Sequence, residues 1–263
     1  MNGDHLFIGV NILPGKRPYV YAAMDRERTL AAIGRGDLAE LVAYAAGSTK
    51  AWVCVNAPCG TGSGLLGKPA VRDSFTPPPT PKQQKHLRVA DYELLLQGVA
   101  PARIFEQRPT PPVWIQNGLA LYDQLTANGF QKEPTPGVAH LALEGNAEAS
   151  FLALLPAKAY PANSLEGRIQ RQLLCEELAL PVPDTMGLFE EITRYRLLQG
   201  SLLLDNLHSE GELDALILAY TAWLTEHDPN AIITLGLPEE SQIHLPGLPA
   251  HTPLARQFPL VNE

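Results

Sequence analysis

Apolar runs of strand length recur along this chain, separated by turn residues or by longer helical patterns. The first three runs are joined by short polar connections, which predicts an antiparallel meander. The fourth and fifth are nearly continuous apolar runs, as is typical of strands in the middle of a sheet. The predicted strands occupy residues 6–13, 18–24, 28–34, 51–56, 138–143, 231–235 and 242–245.

Helical patterns fill much of the chain between these strands. Asp37 is placed to cap the first helix, which is rich in alanine and ends near Gly47. Gly98 and Gly129 follow the next two helices and are typical helix ends. The later helices are predicted over about 86–97, 113–128, 147–155, 164–179, 187–199 and 212–226.

Three meander strands come first, and the later strands alternate with helices. This order predicts an α/β fold with a mixed central sheet, in which an antiparallel meander continues into parallel strands and helices cover both faces. It is the element order of a ribonuclease H-like fold, in which the first strand is central and the fourth lies beside it. We therefore expect residues 1–263 to form a single ribonuclease H-like domain, with a loop insertion at about 57–85.

That insertion is rich in glycine and proline. It contains the run Pro77-Pro78-Pro79-Thr80-Pro81, and no core can be built from its composition, so it is predicted to be a long loop or lid. Residues 62–68 match a phosphate-binding loop, but Pro69 stands where the Mg²⁺-binding hydroxyl belongs, and no helical pattern follows. We therefore assign no nucleotide binding to this motif.

Two asparagines end apolar strands at positions where an aspartate would create a metal site. Asn11 ends the first strand and Asn56 ends the fourth. In the expected fold the carboxyl ends of these strands meet at one crevice. Two carboxylates there would hold Mg²⁺ for phosphodiester cleavage, whereas two carboxamides supply only neutral oxygens. Asparagine is also a common turn residue, which is the purely structural alternative.

Composition narrows the class of protein. With 45% hydrophobic and 18% charged residues, the chain is typical of a globular protein. Its formal net charge of −8 argues against coating nucleic acid by bulk charge. Cys54, Cys59 and Cys175 are too few for a disulfide framework. The sequence has neither the pattern of a signal peptide nor an apolar run of membrane-spanning length, so we expect a cytoplasmic protein with no membrane partner.

Segments spread over nearly the whole chain carry a resemblance to a known family. The main ones are Gly9-Val10-Asn11, Val55-Asn56-Ala57-Pro58, Arg88-Val89-Ala90-Asp91, Glu144 with Glu148-Ala149-Ser150-Phe151, Gly167-Arg168 with Arg171, Leu213-Asp214-Ala215 and Glu240-Ser241-Gln242-Ile243-His244-Leu245-Pro246. In this order they resemble the domain-of-unknown-function family 429, which is described as predicted nucleases with a ribonuclease H-like fold. The resemblance implies metal-dependent phosphodiester cleavage at the crevice.

The chain departs from that family at the presumed chemistry. The family pattern has aspartate at the positions of Asn11 and Asn56, and usually proline where this chain has Ala147, whereas Glu144 and Asp214 match the remaining acidic positions. The implied catalytic residues are Asn11, Asn56, Glu144 and Asp214, with the two acids as ligands of Mg²⁺ or Mn²⁺. Losing one carboxylate about 4 Å from a divalent ion forfeits on the order of 8 kcal/mol of gross attraction at an effective dielectric of about 20. We therefore expect catalysis to be weak or lost, and a satisfied polar cluster is the alternative.

Basic residues near the crevice are candidates for ligand binding. A basic flap formed by the insertion would suit phosphate groups, although a solvated flexible loop has the same composition. Arginines on a later helix would suit a phosphate or a carboxylate, or would pair with Glu176 and Glu177 of their own helix. The residues assigned to substrate binding are Lys85, Arg88, Asp91, Arg168 and Arg171. Trp52, Trp114 and Trp223 lie on apolar faces and are predicted to belong to the core.

Three functions follow as hypotheses. The first is a ribonuclease H-like protein with weak or lost nuclease activity that binds a nucleic acid or a nucleotide in the crevice. The second is a non-catalytic interaction protein that uses the same scaffold to bind a protein partner. The third is a phosphotransferase, because nucleotide kinases of the actin type share the fold class. Salt-sensitive binding to an oligonucleotide would favour the first hypothesis. A large exposed apolar patch would favour the second, and thermal stabilisation by ATP would favour the third.

Overall fold

The computed structural model describes residues 5–101, 111–132, 134, 137–156, 158–201 and 204–247. Within these residues, the strands are β1 His5–Ile12, β2 Tyr19–Met24, β3 Leu30–Gly36, β4 Lys50–Val55, β5 His140–Gly145, β6 Ile232–Leu235 and β7 Ile243–Pro246. They form one seven-stranded sheet in the order β3-β2-β1-β4-β5-β7-β6. Strands β1, β4, β5 and β7 run parallel, and the remaining pairs are antiparallel, so the sheet is mixed as predicted.

The helices that the structure describes lie between these strands. They are α1 Leu38–Ala46, α2 Pro69–Arg72, α3 Pro81–His86, α4 Val89–Leu96, α5 Val113–Ala127, α6 Ala147–Leu154, α7 Leu165–Glu177, α8 Gly187–Glu191, α9 Arg194–Leu198 and α10 Glu210–His227. Asp37 caps α1 as predicted, because its side chain accepts a hydrogen bond from the amide of Glu40 at 2.9 Å. In the described part of the chain, none of the helices combines the length and the apolar character needed to cross a membrane.

Helices cover both faces of the sheet. Alternate residues of a strand point to opposite faces. Ile8 and Val10 of β1 are buried in one core together with residues of α1 and α5. Phe7 of β1 and Trp52 of β4 are buried in a second core with residues of α6, α7 and α10. The predicted α/β architecture is therefore confirmed, and Trp52 belongs to the core as expected.

The register of the parallel strands brings their carboxyl ends to one edge of the sheet. Val10 of β1 pairs with Val55 of β4, and Val55 pairs with Glu144 of β5. The backbone amide of Asn56 extends this ladder by donating to the carbonyl of Val10 at 2.8 Å. Asn11, Asn56 and Glu144 consequently lie at the same edge, which is where the candidate site forms.

Helix α10 packs directly on the backbone of β1. Every residue from Leu213 to Ala222 is buried. A Cβ atom placed on Gly9 would lie 1.9 Å from the carbonyl oxygen of Ala215 and 2.3 Å from the amide nitrogen of Ala219. Only glycine at position 9 permits this approach, and the approach determines where the first turns of α10 meet the sheet.

The prediction of one helix over 187–199 was wrong. Two short helices, α8 and α9, occupy this stretch, and the chain leaves helical geometry between them at Ile192 and Thr193. Both residues are β-branched, which lowers their helix propensity. The Thr193 side chain caps α9 instead, accepting a hydrogen bond from the amide of Arg196 at 3.2 Å.

The prediction that residues 57–85 contain no core was also wrong. The segment forms a 3-10 turn, Leu65–Gly67, followed by α2 and α3, so helical structure does follow the glycine-rich motif. Leu65 and Leu66 are buried in a separate apolar cluster that includes Tyr92 of α4. Because part of this cluster lies outside the segment, the composition of the segment alone did not reveal it.

Replacing Gly9 with alanine should lower the free energy of unfolding by roughly 3 kcal/mol or more, because the added methyl group would collide with the backbone of α10. Gly34 of β3 is the matched control. Its Cβ would meet only the Tyr21 hydroxyl, at 3.9 Å, so Gly34→Ala should leave stability unchanged or raise it by up to about 1 kcal/mol. Urea unfolding monitored by circular dichroism measures both variants. A Gly9→Ala protein as stable as the wild type would contradict the close packing of α10 on β1.

Candidate functional site

A chain of hydrogen bonds links the two asparagines to Asp214 in the first turns of α10. The Asn56 amide nitrogen donates to Asn11 Oδ1 at 2.9 Å, and the Asn11 amide nitrogen donates to Asp214 Oδ2 at 3.0 Å. The backbone amide of Ala147, at the start of α6, donates to Asn56 Oδ1 at 3.3 Å. Both carboxamide oxygens therefore already accept hydrogen bonds from within the protein.

Asp214 is also held by a buried arginine. Arg171 of α7 donates from Nη1 to Asp214 Oδ1 at 2.9 Å, and its Nη2 pairs with Glu148 of α6. The guanidinium carbon lies 4.5 Å from the centre of the Phe151 ring, a favourable cation–π distance. One guanidinium group thus serves two carboxylates.

A second buried arginine holds the other acidic position. Arg88, immediately before α4, forms a two-bond pair with Glu144 of β5, with N–O distances of 2.6 and 2.8 Å. It also binds Asp91 through Nε at 2.8 Å and Nη2 at 3.0 Å. The three side chains are each at most 2% exposed. Charge-assisted pairs of this geometry are among the strongest hydrogen bonds in proteins.

The two groups meet beside a cavity at the carboxyl edge of the sheet, which we call the strand-end cavity. Its volume is about 270 Å³, and Asn56, Arg88, Asp91 and Glu144 are among the residues that line it. Asn56 lines the cavity beside Arg88 and its partners Asp91 and Glu144. It also bonds to Asn11, which is linked through Asp214 to Arg171. Seven of the nine predicted site residues therefore lie in one continuous region.

Burial dominates the electrostatics of this region. It raises the pKa of Asp214 to about 7, against the opposing effect of Arg171, and the nearby Glu210 and Glu148 raise it further. Burial likewise raises the pKa of Asp91, although Arg88 opposes the shift. Burial alone would lower the pKa of Arg88, but the pairs with Glu144 and Asp91 raise it well above its ordinary value. Arg88 is therefore a permanent cation.

The oxygen atoms predicted to hold a metal are engaged by nitrogen donors in this structure. Glu144 binds Arg88 and the backbone amide of Cys59, and Asp214 binds Arg171 and Asn11. Among the residues that the structure describes, no group of three or more His, Cys, Asp or Glu side chains is arranged to hold a metal ion. As they stand, the donor atoms do not fit Mg²⁺ or Mn²⁺, which require several free oxygens at short range. The assignment of Glu144 and Asp214 as metal ligands stays a prediction.

Two residues assigned to substrate binding lie apart from these groups. Arg168 donates to the backbone carbonyls of Leu207 and His208, at 2.7 and 2.9 Å. Lys85 has an exposed side chain near the end of α3. Their roles in substrate binding stay predictions. The alternative that the arginines of α7 pair with glutamates of their own helix was wrong, because Arg168 binds carbonyl groups and Arg171 binds Glu148 and Asp214 on other helices.

Trp114 was predicted from the sequence to belong to the core, but it lines the strand-end cavity. Trp114, in the first turn of α5, is 37% exposed and lines the strand-end cavity. Apolar periodicity could not show this, because it treats a buried tryptophan and a cavity-lining tryptophan alike. The local signal is the position of Trp114 in the first turn of a helix, two residues after Pro112.

Comparisons of the chain with models of known protein families, with curated proteins and with solved structures found no match in any of the three sets. The function is therefore inferred from the residues of the site and from their contacts.

The pKa of Asp214 predicts a pH dependence of stability. Because this pKa is about 7 in the folded protein and near 3.8 in a free side chain, the folded state binds the proton more tightly. The stabilising contribution is fully present below about pH 4 and is lost as the pH rises through 7. Asp214→Asn should abolish this loss, so the stability of the variant relative to wild type should rise between pH 4 and pH 7. Urea unfolding at a series of pH values tests this. A relative stability that does not change with pH would contradict it.

Removing the guanidinium group of Arg88 should be costly. Arg88→Met should lower the free energy of unfolding by on the order of 3–5 kcal/mol at pH 7, because Asp91 and Glu144 would remain buried without their counter-charge. Arg17→Met is the control: Arg17 pairs with Glu40 at an exposed position, so its loss should cost less than about 1 kcal/mol. The Arg88→Met penalty should shrink in acid, where the carboxylates become neutral. Equal stability of the two variants would contradict the buried pairing.

Proposed function

We propose that this chain is a ribonuclease H-like protein of the predicted nuclease type, in which the crevice binds a nucleic acid or a nucleotide and phosphodiester cleavage is weak or lost. The sheet order supports this fold. Strand β1 is central, β2 and β3 continue from it as an antiparallel meander, and β4 and β5 lie parallel on its other side. Asn11 and Asn56 lie at the carboxyl ends of β1 and β4, the positions at which such a fold presents its catalytic acids.

The hydrogen bond between Asn11 and Asp214 carries the proposal. With aspartate at position 11, two carboxylate oxygens would lie about 3.0 Å apart. With aspartate also at position 56, a second carboxylate contact of about 2.9 Å would arise. Like charges at these distances need a cation or a shared proton between them. Asparagine supplies an N–H donor at each contact instead, so the side chains at positions 11, 56 and 214 bond to one another without a cation.

The two remaining acids are neutralised by arginine. A divalent ion at Glu144 and Asp214 would have to compete with Arg88 at one carboxylate and with Arg171 at the other. Guanidinium groups that form buried, two-bond or shared pairs are not displaced without a large desolvation cost. We therefore expect the wild-type protein to bind Mg²⁺ or Mn²⁺ weakly at these positions.

Ligand binding remains compatible with this arrangement. The strand-end cavity is lined by the carboxamide groups of Asn56 and Asn146 at the edge of the sheet. The segment that packs against Arg88, where Gly62 lies close to its side chain, also carries exposed lysines. These are Lys68, Lys82 and Lys85. Exposed lysine side chains on this segment suit the phosphate groups of a nucleotide or a single strand.

A protein partner is the second candidate function, and a separate observation favours it. Helices α8 and α9 expose several large apolar side chains within a short stretch of chain. These are Met186 at 55%, Phe189 at 50%, Tyr195 at 72%, Leu197 at 55% and Leu198 at 75% exposure. Clusters of exposed apolar side chains of this kind are typical of interaction surfaces.

Restoring the two aspartates should restore a metal requirement. The double variant Asn11→Asp, Asn56→Asp should be less stable than wild type without metal, by on the order of 3 kcal/mol, because three carboxylates would crowd together at Asn11, Asn56 and Asp214. Millimolar Mn²⁺ should raise its melting temperature by several degrees and leave the wild type nearly unchanged. The control Asn163→Asp, Asn230→Asp adds the same charge at exposed positions and should show neither effect.

The same proteins decide between binding and cleavage. Wild type should retain a labelled single strand in a salt-sensitive manner without cutting it, and only the double aspartate variant should cleave it with Mn²⁺. Cleavage by wild type that disappears in Asp214→Ala would overturn the proposal of weak or lost catalysis. An absence of oligonucleotide binding by every variant would favour the protein-partner function. Stabilisation of the wild type by ATP alone would favour a phosphotransferase.

A further inference from the structure

One side chain of the strand-end cavity takes no part in the two hydrogen-bonded groups. Trp114 lines the cavity and keeps 37% of its surface exposed, so part of its indole ring is open to a ligand. Leu94, Pro101 and Ile243 supply further apolar lining. An aromatic ring with aliphatic neighbours suits a flat ring system better than an isolated phosphate or a metal ion.

The same cavity offers hydrogen-bonding groups with unused capacity. The Asn146 side-chain oxygen accepts from the amide of Ala149 at 2.9 Å, and within the described part of the chain no group accepts a hydrogen bond from its two N–H donors. Glu144 Oε1 accepts one bond from Arg88 and retains a second lone pair. Donors and acceptors beside an aromatic wall are the groups that recognise the edge of an unpaired nucleobase.

The volume of the strand-end cavity limits which part of a nucleic acid can enter it. Its volume of about 270 Å³ lies just below the range of roughly 300–1,000 Å³ that is typical of small-molecule sites. One base with part of its sugar fits such a space, whereas a base pair does not. A duplex therefore cannot place its bases there without first being opened.

A second cavity, of about 260 Å³, adjoins the first. Pro101 lines both, and the consecutive residues Leu94 and Leu95 of α4 line one each. Lys82 and His86 of α3 line the second cavity. A ligand that extends past Pro101 would therefore carry its phosphate toward a cationic side chain.

We propose that the strand-end cavity binds one unpaired nucleobase, stacked on Trp114 with its polar edge at Asn146 and Glu144, and that the attached phosphate lies at Lys82. This inference rests on the proposed function and names its ligand. The ligand is a nucleotide or the terminal nucleotide of a single strand, and not a duplex. Trp114 supplies affinity for any base through its aromatic face, and the polar groups orient the base.

The first test measures binding of a short, 5′-phosphorylated single strand to the full chain. Trp114→Ala should weaken binding roughly 5-fold to 150-fold, the effect of losing one base–aromatic stack. Trp114→Phe should retain most of the affinity, because a phenyl ring still stacks. Val113→Ala is the matched control, since Val113 is 66% exposed in the same helical turn and lines neither cavity. Circular dichroism of each variant confirms that the fold is retained.

The second test removes the base from the ligand. A strand with an abasic 5′ nucleotide should bind wild type about as weakly as the intact strand binds Trp114→Ala, and the two changes together should cost no more than either one. Lys82→Ala should weaken binding and reduce its salt dependence. Lys158→Ala, which removes an exposed lysine that lines neither cavity, should do neither.

The outcomes separate this inference from the proposed function. Salt-sensitive binding that is unaffected by Trp114→Ala would overturn the base pocket and leave the proposed function standing. Tighter binding of a duplex than of the single strand would also overturn the base pocket and leave the proposed function standing. If wild type binds neither oligonucleotides nor nucleoside 5′-monophosphates, both are overturned.

Discussion

The packing of α10 on β1 is the contact on which the rest of the site depends. Because residue 9 is glycine, the helix backbone approaches the strand backbone without intervening side chains. Asp214, the neighbour of Ala215 in α10, is thereby held within hydrogen-bonding distance of Asn11. Arg171 reaches Asp214 from α7, and Glu148 reaches Arg171 from α6. A side chain at position 9 would push the helix away from the strand and would break the hydrogen bond between Asn11 and Asp214.

Burial at the same edge makes charge compensation obligatory. Asp91, Glu144 and Asp214 are buried carboxylates, and each would cost several kcal/mol if it lacked a partner. Arg88 compensates the first two, and Arg171 compensates the third. A metal-dependent nuclease solves the same problem with divalent ions. In the proposed function, the compensating cations belong to the chain itself, so the site is stable without an added ion.

This compensation also determines where a ligand can bind. The guanidinium nitrogens of Arg88, the two Nη atoms of Arg171 and the Asn11 amide nitrogen bond to protein oxygens and thereby hold the fold together. The groups that keep free capacity lie along the strand-end cavity, where Asn146 has unused N–H donors and Trp114 has an uncovered ring. Recognition is consequently expected at the cavity wall, beside the hydrogen-bonded cluster of Asn11, Asn56 and Asp214.

The strands, most of the helices and their order could be predicted from the sequence, because strand periodicity, the Asp37 cap and the terminating glycines act within a few residues of chain. The break between α8 and α9 and the short helices after β4 were missed. The same reasoning placed Asn11 and Asn56 at one edge of the sheet. It could not pair Arg88 with Glu144, 56 residues away, or Arg171 with Asp214, 43 residues away. Nor could it show that Trp114 lines a cavity or that Leu65 and Leu66 are buried. The sequence thus determined the scaffold and the identity of the residues at its edge. Only the tertiary structure decided their partners, because burial and charge pairing depend on contacts between segments that are distant along the chain.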